Sequence, residues 1–283
     1  MINDMLGGKL AFIGGGNMAR SLIGGLLAKG LRATDVIVSD PIESQRALIA
    51  QQYGVAVTDN NSAAASTAQV IVLAVKPQEL RHVAEAMAAS VAHRPLIISV
   101  AAGIRASDLE RWLGGIAVVR TMPNRPALNG CGITGMYANA NVPTAQRALA
   151  MQIMSAVGKV LWVDQEALMD AVTAVSGSGP AYFFLLMELL EAAGVERGLP
   201  VATARALAIE TAYGAGYMAR ELSESPATLR EQVTSKGGTT AAALNVFASR
   251  DLAQIVSSAV KAAADRSAEM AVQLSAQSHI SNT

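Results

Sequence analysis

The sequence predicts an α/β N-terminal domain with a doubly wound parallel sheet, followed by an all-α C-terminal domain. From Leu10 to Asn124, short apolar runs alternate with segments of helical periodicity, which is typical of βαβ units. From about Gln165 onwards these runs stop and long helical patterns take over. The chain has 283 residues, enough for two hydrophobic cores. We therefore predict one domain over residues 1–164 and a second over residues 165–283.

The first apolar run, residues 10–13, leads through glycines into a helix. Gly14 and Gly16 give the backbone freedom for a tight turn, and Ala19 allows the helix to pack closely on the strand. The start of that helix offers unpaired N–H groups to a phosphate. The unit therefore predicts a dinucleotide-binding turn of the Rossmann type. Glycine-rich turns also occur where nothing binds, so this motif alone leaves that alternative open.

The second apolar run ends at Asp40, roughly twenty positions past the glycines. An acidic residue at this place accepts a hydrogen bond from a ribose hydroxyl in dinucleotide-binding folds. The alternative is that Asp40 and Pro41 form an ordinary turn at the end of a strand. Both interpretations are compatible with the sequence.

Three further runs also end in small or polar residues. Residues 70–75 are continuously apolar, as in a strand buried on both faces, and Lys76 and Pro77 follow. Ligands bind at the C-terminal ends of the strands in open parallel sheets, so Ala74 and Val75 would place backbone against a cofactor. Lys76 would lie near its phosphates or ribose, or else is an ordinary surface lysine. The runs ending near residues 103 and 124 could line the same crevice.

Composition excludes several classes of function. Apolar residues make up 52% of the chain and charged residues 16%, which predicts a large buried subunit interface.

The longest apolar run, residues 181–187, is too short to span a bilayer, and no leader-like segment precedes Leu10, so we expect a cytoplasmic protein. Lysine and arginine balance aspartate and glutamate at 22 each without a basic cluster, which argues against nucleic acid. One cysteine and three scattered histidines argue against a metal site or a catalytic triad: Cys131, His82, His93 and His279.

Helical patterns in the C-terminal part cover residues 167–176, 181–194, 200–222 and 251–274. We expect Pro180 to end or kink a helix, and Pro200 to begin one. Ser225 and Pro226 predict the start of a helix that runs to about Val233. The apolar faces of these helices are wider than one bundle can bury, which predicts a dimer.

A loop rich in hydroxyls and glycine, residues 235–240, precedes another helical segment. Two glycines flanked by hydroxyls at a helix start form a concave set of N–H and O–H donors that suits a carboxylate. The alternative is that Ser235 and Thr239 merely cap two helices and that the glycines form the turn between them.

Six short motifs occur in the order found in pyrroline-5-carboxylate reductases, the family that catalyses the last step of proline synthesis. They are GGGNM at 14–18, VKP at 75–77, SVAAG at 99–103, MPN at 122–124, SGSGPAY at 176–182 and TSKGGTT at 234–240. The resemblance covers nearly the whole chain. It implies reduction of 1-pyrroline-5-carboxylate to L-proline with NADPH, with NADH possible. It also implies a homodimer that assembles into a larger homo-oligomer.

The resemblance also implies the site residues. For the cofactor they are Gly14, Gly15, Gly16, Asn17, Met18, Ser39, Asp40, Asn61, Ala74, Val75, Lys76, Pro77, Ala101, Ala102 and Asn124. For the substrate they are Ser176, Ser235, Gly238, Thr239 and Thr240. The loop holds the substrate carboxylate, and the Thr240 hydroxyl donates to the ring nitrogen as the catalytic group. No residue is assigned the role of a strong acid.

Two residues depart from the family pattern. Arg125 stands where threonine is usual, either near a cofactor phosphate or pointing away, and Asp40 stands where the family often has a small or basic residue. Asp40 would accept from a free ribose 2′-hydroxyl and repel a 2′-phosphate, and Ser39 and Arg46 could offset that repulsion. We therefore expect use of both cofactors, with NADPH only weakly favoured.

Two other functions fit part of the sequence. β-Hydroxyacid dehydrogenases share the two-domain pattern but use a lysine on the interdomain helix, and this chain has no lysine between Lys159 and Lys236. A non-catalytic NAD(P)-sensing protein would keep the glycine turn and could lose the loop at 235–240. Because that loop is complete, we rank the sensing function last.

Overall fold

The structure is a computed structural model that describes residues 2–276, so His279 lies outside the described residues. Within them the chain forms two compact units. The first comprises the chain up to Gly177 together with the chain from Ala263 onwards, and the second comprises Ser178–Ala262. The domain boundary after residue 164 stays a sequence prediction.

The first unit contains a sheet of eight strands among the described residues. The strands are β1 Lys9–Ile13, β2 Val36–Ser39, β3 Ala56–Thr58, β4 Ala68–Leu73, β5 Leu96–Ser99, β6 Val118–Pro123, β7 Gly132–Ala138 and β8 Gly158–Trp162. The helices of this unit before the division are α1 Ile2–Leu6, α2 Asn17–Ala28, α3 Glu43–Tyr53, α4 Asn61–Ala65, α5 Pro77–Met87, α6 Ala106–Leu113, α7 Thr144–Met154 and α8 Leu168–Val172. A π-helix over Thr173–Gly177 follows α8 directly.

The strand order is β3-β2-β1-β4-β5-β6-β7-β8. The chain moves outward from β1 to β3 and then returns to place β4 against the other side of β1, which makes the β1–β4 junction the switch point of the sheet. The first six strands are parallel, as predicted. The pair β6–β7 is antiparallel, a feature that the sequence analysis did not predict. Its connection is too short for the crossover that parallel neighbours need.

Both faces of the sheet are covered, which explains the continuous apolar runs. Phe12 of β1 belongs to the core on one face and Ile13 to the core on the other, because successive side chains point to opposite sides. Leu22 of α2 is fully buried in the first core, and Leu80 of α5 in the second.

The second unit is helical, as predicted. It contains α9 Gly179–Glu196, α10 Val201–Glu221, α11 Pro226–Gln232, α12 Thr239–Ser249 and the first part of α13 Leu252–Ala276. As expected, the helical run before Pro180 ends, at Gly177, and Pro180 lies in the first turn of α9, where a proline removes only an N–H that has no helical partner. The Ser225 hydroxyl caps α11 by accepting from the Thr228 N–H at 3.2 Å.

The α9–α10 pair is joined by an ion pair. Nε and Nη2 of Arg205 each donate to one carboxylate oxygen of Glu191 at 2.9 Å. These hydrogen bonds hold the pKa of the Glu191 carboxyl below its ordinary value and raise the pKa of Arg205.

Large apolar side chains of α9 and α10 are exposed in the single chain. Phe183 is 64% exposed, Phe184 60% and Tyr213 68%. Contiguous apolar surface of this kind marks an interface. No helix among residues 2–276 is long and apolar enough to cross a membrane.

Candidate active site

The glycine turn lies between β1 and α2 at the switch point. The Gly14 N–H donates to the Ser39 carbonyl at 2.8 Å, and Gly14 has a φ of +96°. A Cβ on Gly14 would lie 2.7 Å from the Ala74 carbonyl oxygen, so a larger residue does not fit. Gly16 is the N-cap of α2 and makes no side-chain cap. The first N–H groups of α2 therefore remain available to an anion.

Asp40 connects this turn to the end of β2. Its Oδ2 accepts from the Gly15 N–H at 2.8 Å, and its Oδ1 accepts from the Ile42 N–H at 2.9 Å. The residue is 8% exposed. Asp40, which was predicted to accept from ribose, therefore fixes the glycine turn, a role that no sequence pattern indicated.

Other predicted cofactor residues lie at the same edge of the sheet. The Ser39 hydroxyl donates to Oδ1 of Asn61 at 2.7 Å. The Ala74 N–H donates to the Ile13 carbonyl at 2.8 Å, which places the end of β4 beside the glycine turn. Because β1 to β5 are parallel, their carboxyl ends bring together Gly14, Gly15, Gly16, Asn17, Met18, Ser39, Asp40, Asn61, Ala74, Val75, Lys76, Pro77, Ala101 and Ala102.

Lys76 and Asn124 differ in their exposure to solvent. Lys76 is exposed at the start of α5, with Pro77 in the first turn. Asn124 follows β6 and is largely buried, and its Oδ1 accepts from the Ile133 N–H at 3.0 Å. Asn124 thus holds the start of β7 in place. Arg125, the next residue, is exposed.

A buried cation beneath this edge was not predicted. The Arg120 side chain in β6 is 5% exposed, and its Nη1 lies 3.1 Å from Oε1 of Glu166. Its Nη2 lies 4.0 Å from Oδ1 of Asp170, which also accepts from the Ser267 hydroxyl at 2.7 Å. The signal that could have indicated this cluster is the single charge inside an otherwise apolar strand.

Ser176 lies in the π-helix that follows α8. Its hydroxyl donates to the Val172 carbonyl at 2.9 Å. A Cβ on the neighbouring Gly177 would lie 2.6 Å from the Met122 methyl group, so the π-helix packs closely against the end of β6. Single π-turns of this kind are frequent at functional sites.

The predicted carboxylate loop precedes α12 in the second unit. The Gly238 N–H donates to the Ser235 carbonyl at 3.1 Å, and Gly237 has a φ of +73°. Gly238 itself is the N-cap of α12 and makes no side-chain cap. The alternative in which Ser235 and Thr239 cap two helices is therefore wrong for α12.

The backbone N–H donors at the start of α12 are not used by the helix itself. The Thr239 and Thr240 N–H groups lie in the first turn of α12, where they have no helical acceptor. Within residues 2–276 the Ser235, Thr239 and Thr240 hydroxyls also make no hydrogen bond to another residue. A Cβ on Gly238 would collide with the Ser235 hydroxyl oxygen, so a larger residue there would have to displace the Ser235 side chain. The described residues contain no group of His, Cys, Asp and Glu side chains that could hold a metal ion.

The fold and these two sets of donors define a class of protein, the nicotinamide-dinucleotide-dependent oxidoreductases with a helical second domain. Residues 9–103 match the family model described as NADP oxidoreductase, coenzyme F420-dependent. Residues 166–270 match the family model described as pyrroline-5-carboxylate reductase dimerisation. On these matches and the relatives below, the chain belongs to the pyrroline-5-carboxylate reductase family.

Relatives of known name support this membership along the whole chain. The pyrroline-5-carboxylate reductase of Pseudomonas aeruginosa is 51% identical over 94% of this chain and 98% of its own length. A solved pyrroline-5-carboxylate reductase from Coxiella burnetii has a TM-score of 0.90 at 40% identity, covering 93% of this chain and 98% of that one. The Plasmodium falciparum pyrroline carboxylate reductase, solved with NADP bound, has a TM-score of 0.81 at 28% identity, covering 94% and 99%.

These findings confirm the predicted family, the predicted fold class and the expectation of an NAD(P)-dependent oxidoreductase. The helical part is the family's dimerisation domain, which accounts for its exposed apolar helices.

Proposed function

We propose that this protein reduces 1-pyrroline-5-carboxylate to L-proline with NADPH, using Thr240 as the group that contacts the ring nitrogen. The observation that carries the proposal is the open donor loop at residues 235–240, in a chain of this family. Its helix start is uncapped, and its hydroxyls make no hydrogen bonds elsewhere in the described chain.

The cofactor residues proposed from the sequence fit a dinucleotide. Gly14 has no room for a Cβ, and the start of α2 presents free N–H groups where a pyrophosphate would lie. When bound, the reduced nicotinamide supplies the hydride. The protein supplies position, and holding two ligands in reactive contact is worth about 7–11 kcal/mol at best.

The proposed substrate residues divide into two tasks. Ser235, Gly238 and Thr239 would hold the carboxylate through neutral N–H and O–H donors, and Ser176 is the further substrate residue that we propose. The Thr240 hydroxyl would donate to the ring nitrogen, because an imine accepts hydride more readily when its nitrogen is hydrogen-bonded or protonated. A hydroxyl can do this without trapping the product.

Assembly and location complete the proposal. The exposed apolar side chains of α9 and α10 would be buried between the two copies of the dimer, and dimers would assemble into a larger homo-oligomer. Light scattering after size-exclusion chromatography measures that state, and a stable monomer at micromolar concentration would contradict it. We also propose that the protein is cytoplasmic, and cell fractionation tests this location.

The experiment that tests the function is an assay of purified protein with 1-pyrroline-5-carboxylate and either NADPH or NADH, with proline as the measured product. A matched assay offers NADP⁺ and a small 3-hydroxy acid. Proline formation supports the proposal. Oxidation of the alcohol with no proline would favour a dehydrogenase, and cofactor binding with neither reaction would favour a sensing protein.

A further inference from the structure

The end of β2 presents one carboxylate and one guanidinium to the ribose end of the proposed cofactor site. The sequence predicts a weak preference for NADPH, because an acidic residue there opposes a 2′-phosphate. The structure assigns the two groups different tasks. We infer that Arg46 selects NADPH by binding the 2′-phosphate, while Asp40 positions the glycine turn. This inference rests on the proposed use of a nicotinamide dinucleotide.

The Asp40 carboxylate already accepts hydrogen bonds from within the protein. Each of its oxygens accepts a backbone N–H, from Gly15 at 2.8 Å and from Ile42 at 2.9 Å. At 8% exposed, Asp40 presents little surface to a ligand. The two N–H groups also stabilise its negative charge, which weakens its repulsion of a phosphate. Asp40 therefore acts on the cofactor through the turn that it fixes.

Arg46 lies in the first turns of α3 and folds back over the end of β2. Its Nη1 donates to the Asp40 carbonyl at 2.8 Å and to the Pro41 carbonyl at 2.9 Å. These two bonds hold the guanidinium in place. Of the five N–H donors of an arginine, the three on Nη2 and Nε are left.

The charge of Arg46 has no acidic partner within residues 2–276. Arg32, at the opposite end of β2, pairs with Asp35 at 2.6 Å. The hydrogen bonds of Arg46 within residues 2–276 go to carbonyl oxygens, so no acidic group there neutralises the guanidinium before a ligand binds. The side chain is partly exposed, so an anion can reach it.

A planar guanidinium held at its Nη1 edge suits a phosphate, because the remaining donors can bind two oxygens at once. The dipole of α3 favours negative charge at this end and no side chain caps the helix, although Glu43 in its first turn adds one negative charge. NADH lacks the 2′-phosphate, so it would gain nothing from either feature. The specificity for NADPH therefore follows from the position of Arg46 and not from residue 40.

The test measures binding of NADP⁺ and NAD⁺ by calorimetry, with the wild-type protein and the variants Arg46→Gln and Arg46→Lys. Wild type should bind NADP⁺ at least tenfold more tightly than NAD⁺. Arg46→Gln should raise the Kd for NADP⁺ about tenfold or more and leave the Kd for NAD⁺ within about twofold, and Arg46→Lys should lie between. Arg32→Gln is the matched control, because it removes the same charge from the other end of β2, and should change neither Kd.

Asp40→Asn separates the two roles. It should weaken both dinucleotides by similar factors, because it disturbs the shared turn. Selective tightening of NADP⁺ by Asp40→Asn would overturn the inference, as would an unchanged or equally weakened pair of affinities for Arg46→Gln. The result is independent of turnover: a protein that binds NADP⁺ through Arg46 but forms no proline contradicts the proposed function alone. A wild type that binds neither dinucleotide contradicts both.

Discussion

Nη1 of Arg120 lies 3.1 Å from Oε1 of Glu166, with the arginine side chain 5% exposed inside the sheet. The same Glu166 oxygen accepts from the Ala106 N–H at 2.6 Å. One buried cation therefore joins β6 to the segment before α8 and to the start of α6. Asp170 extends the cluster to Ser267 on α13, so four separate parts of the chain meet around Arg120.

Replacing Arg120 by methionine should destabilise the protein strongly, because Glu166 and Asp170 would be left without their cation. Removing one partner of a buried pair costs about 3–5 kcal/mol, and we expect the lower end because these carboxylates stay 22% and 25% exposed. Thermal or urea unfolding measures the change. Arg266→Met is the matched control: its pair with Glu269 is 57% and 61% exposed, so the loss should be at most about 1 kcal/mol. Equal losses in the two variants would show that the Arg120 cluster contributes no more than a surface pair.

Gly14 and Gly16 of the glycine turn should respond differently to substitution by alanine. In Gly14→Ala the new Cβ meets the Ala74 carbonyl at a φ of +96°, so both stability and dinucleotide binding should fall. In Gly16→Ala the new Cβ meets no atom of the protein within 4 Å, so the unfolding temperature should stay close to that of wild type. Dinucleotide affinity should nevertheless fall, because the cofactor must approach there. Unfolding scans with calorimetry check both, and unchanged affinity in Gly16→Ala would exclude this residue from the cofactor site.

Thr240→Val removes the proposed donor to the ring nitrogen while keeping the shape of the side chain. By analogy with a lost oxyanion-hole donor, kcat should fall about a hundredfold to a thousandfold, roughly 2.7–4 kcal/mol. Steady-state kinetics measure the loss, and the Kd for NADP⁺ should barely change. Thr239→Val, one residue earlier, is the matched control and should mainly raise KM. A normal kcat in Thr240→Val would mean that the hydroxyl only holds the substrate and that the proton comes from water or a protonated imine.

Ser235→Ala should raise KM for 1-pyrroline-5-carboxylate and leave kcat nearly unchanged. A carboxylate contact is made equally in the ground state and in the transition state, so its loss weakens binding alone. The control is Ser249→Ala at the far end of α12, where the hydroxyl donates to the Val246 carbonyl within the helix. A large fall in kcat with constant KM would remove Ser235 from the carboxylate site.

The Glu191–Arg205 pair should stabilise the helical unit in a pH-dependent way. The pKa of the Glu191 carboxyl is below its ordinary value of 4.5, so the pair contributes above that value and the contribution is lost as the pH falls through the lower folded pKa. Glu191→Gln should therefore lower the unfolding temperature slightly at pH 7, and this difference should shrink as the pH falls below 4.5. Thermal scans of both proteins across this range measure the difference. A difference that does not shrink as the pH falls would mean that Glu191 acts through packing.

The local elements could be predicted from the sequence because their signals are local. Gly54 ends α3, which runs from Glu43 to Tyr53, in the left-handed conformation at a φ of +67°, as a glycine after a helical segment allows. Residues 132–138 and 158–162 gave no comparable signal, because glycines interrupt the apolar pattern of β7 and β8 is only partly buried. The antiparallel pairing of β7 therefore appeared only in the structure.

The sequence by itself determined the two-part fold, the glycine turn, the donor loop and the family, because each depends on residue types at short spacing. Only the tertiary structure decided what the charged residues do. Asp40 and Gly15 are 25 positions apart, and Arg120 and Glu166 are 46 apart. No periodicity links such positions. Their partners are set by which distant segments the folded sheet brings together. A buried charge is stable only where these segments supply its hydrogen bonds.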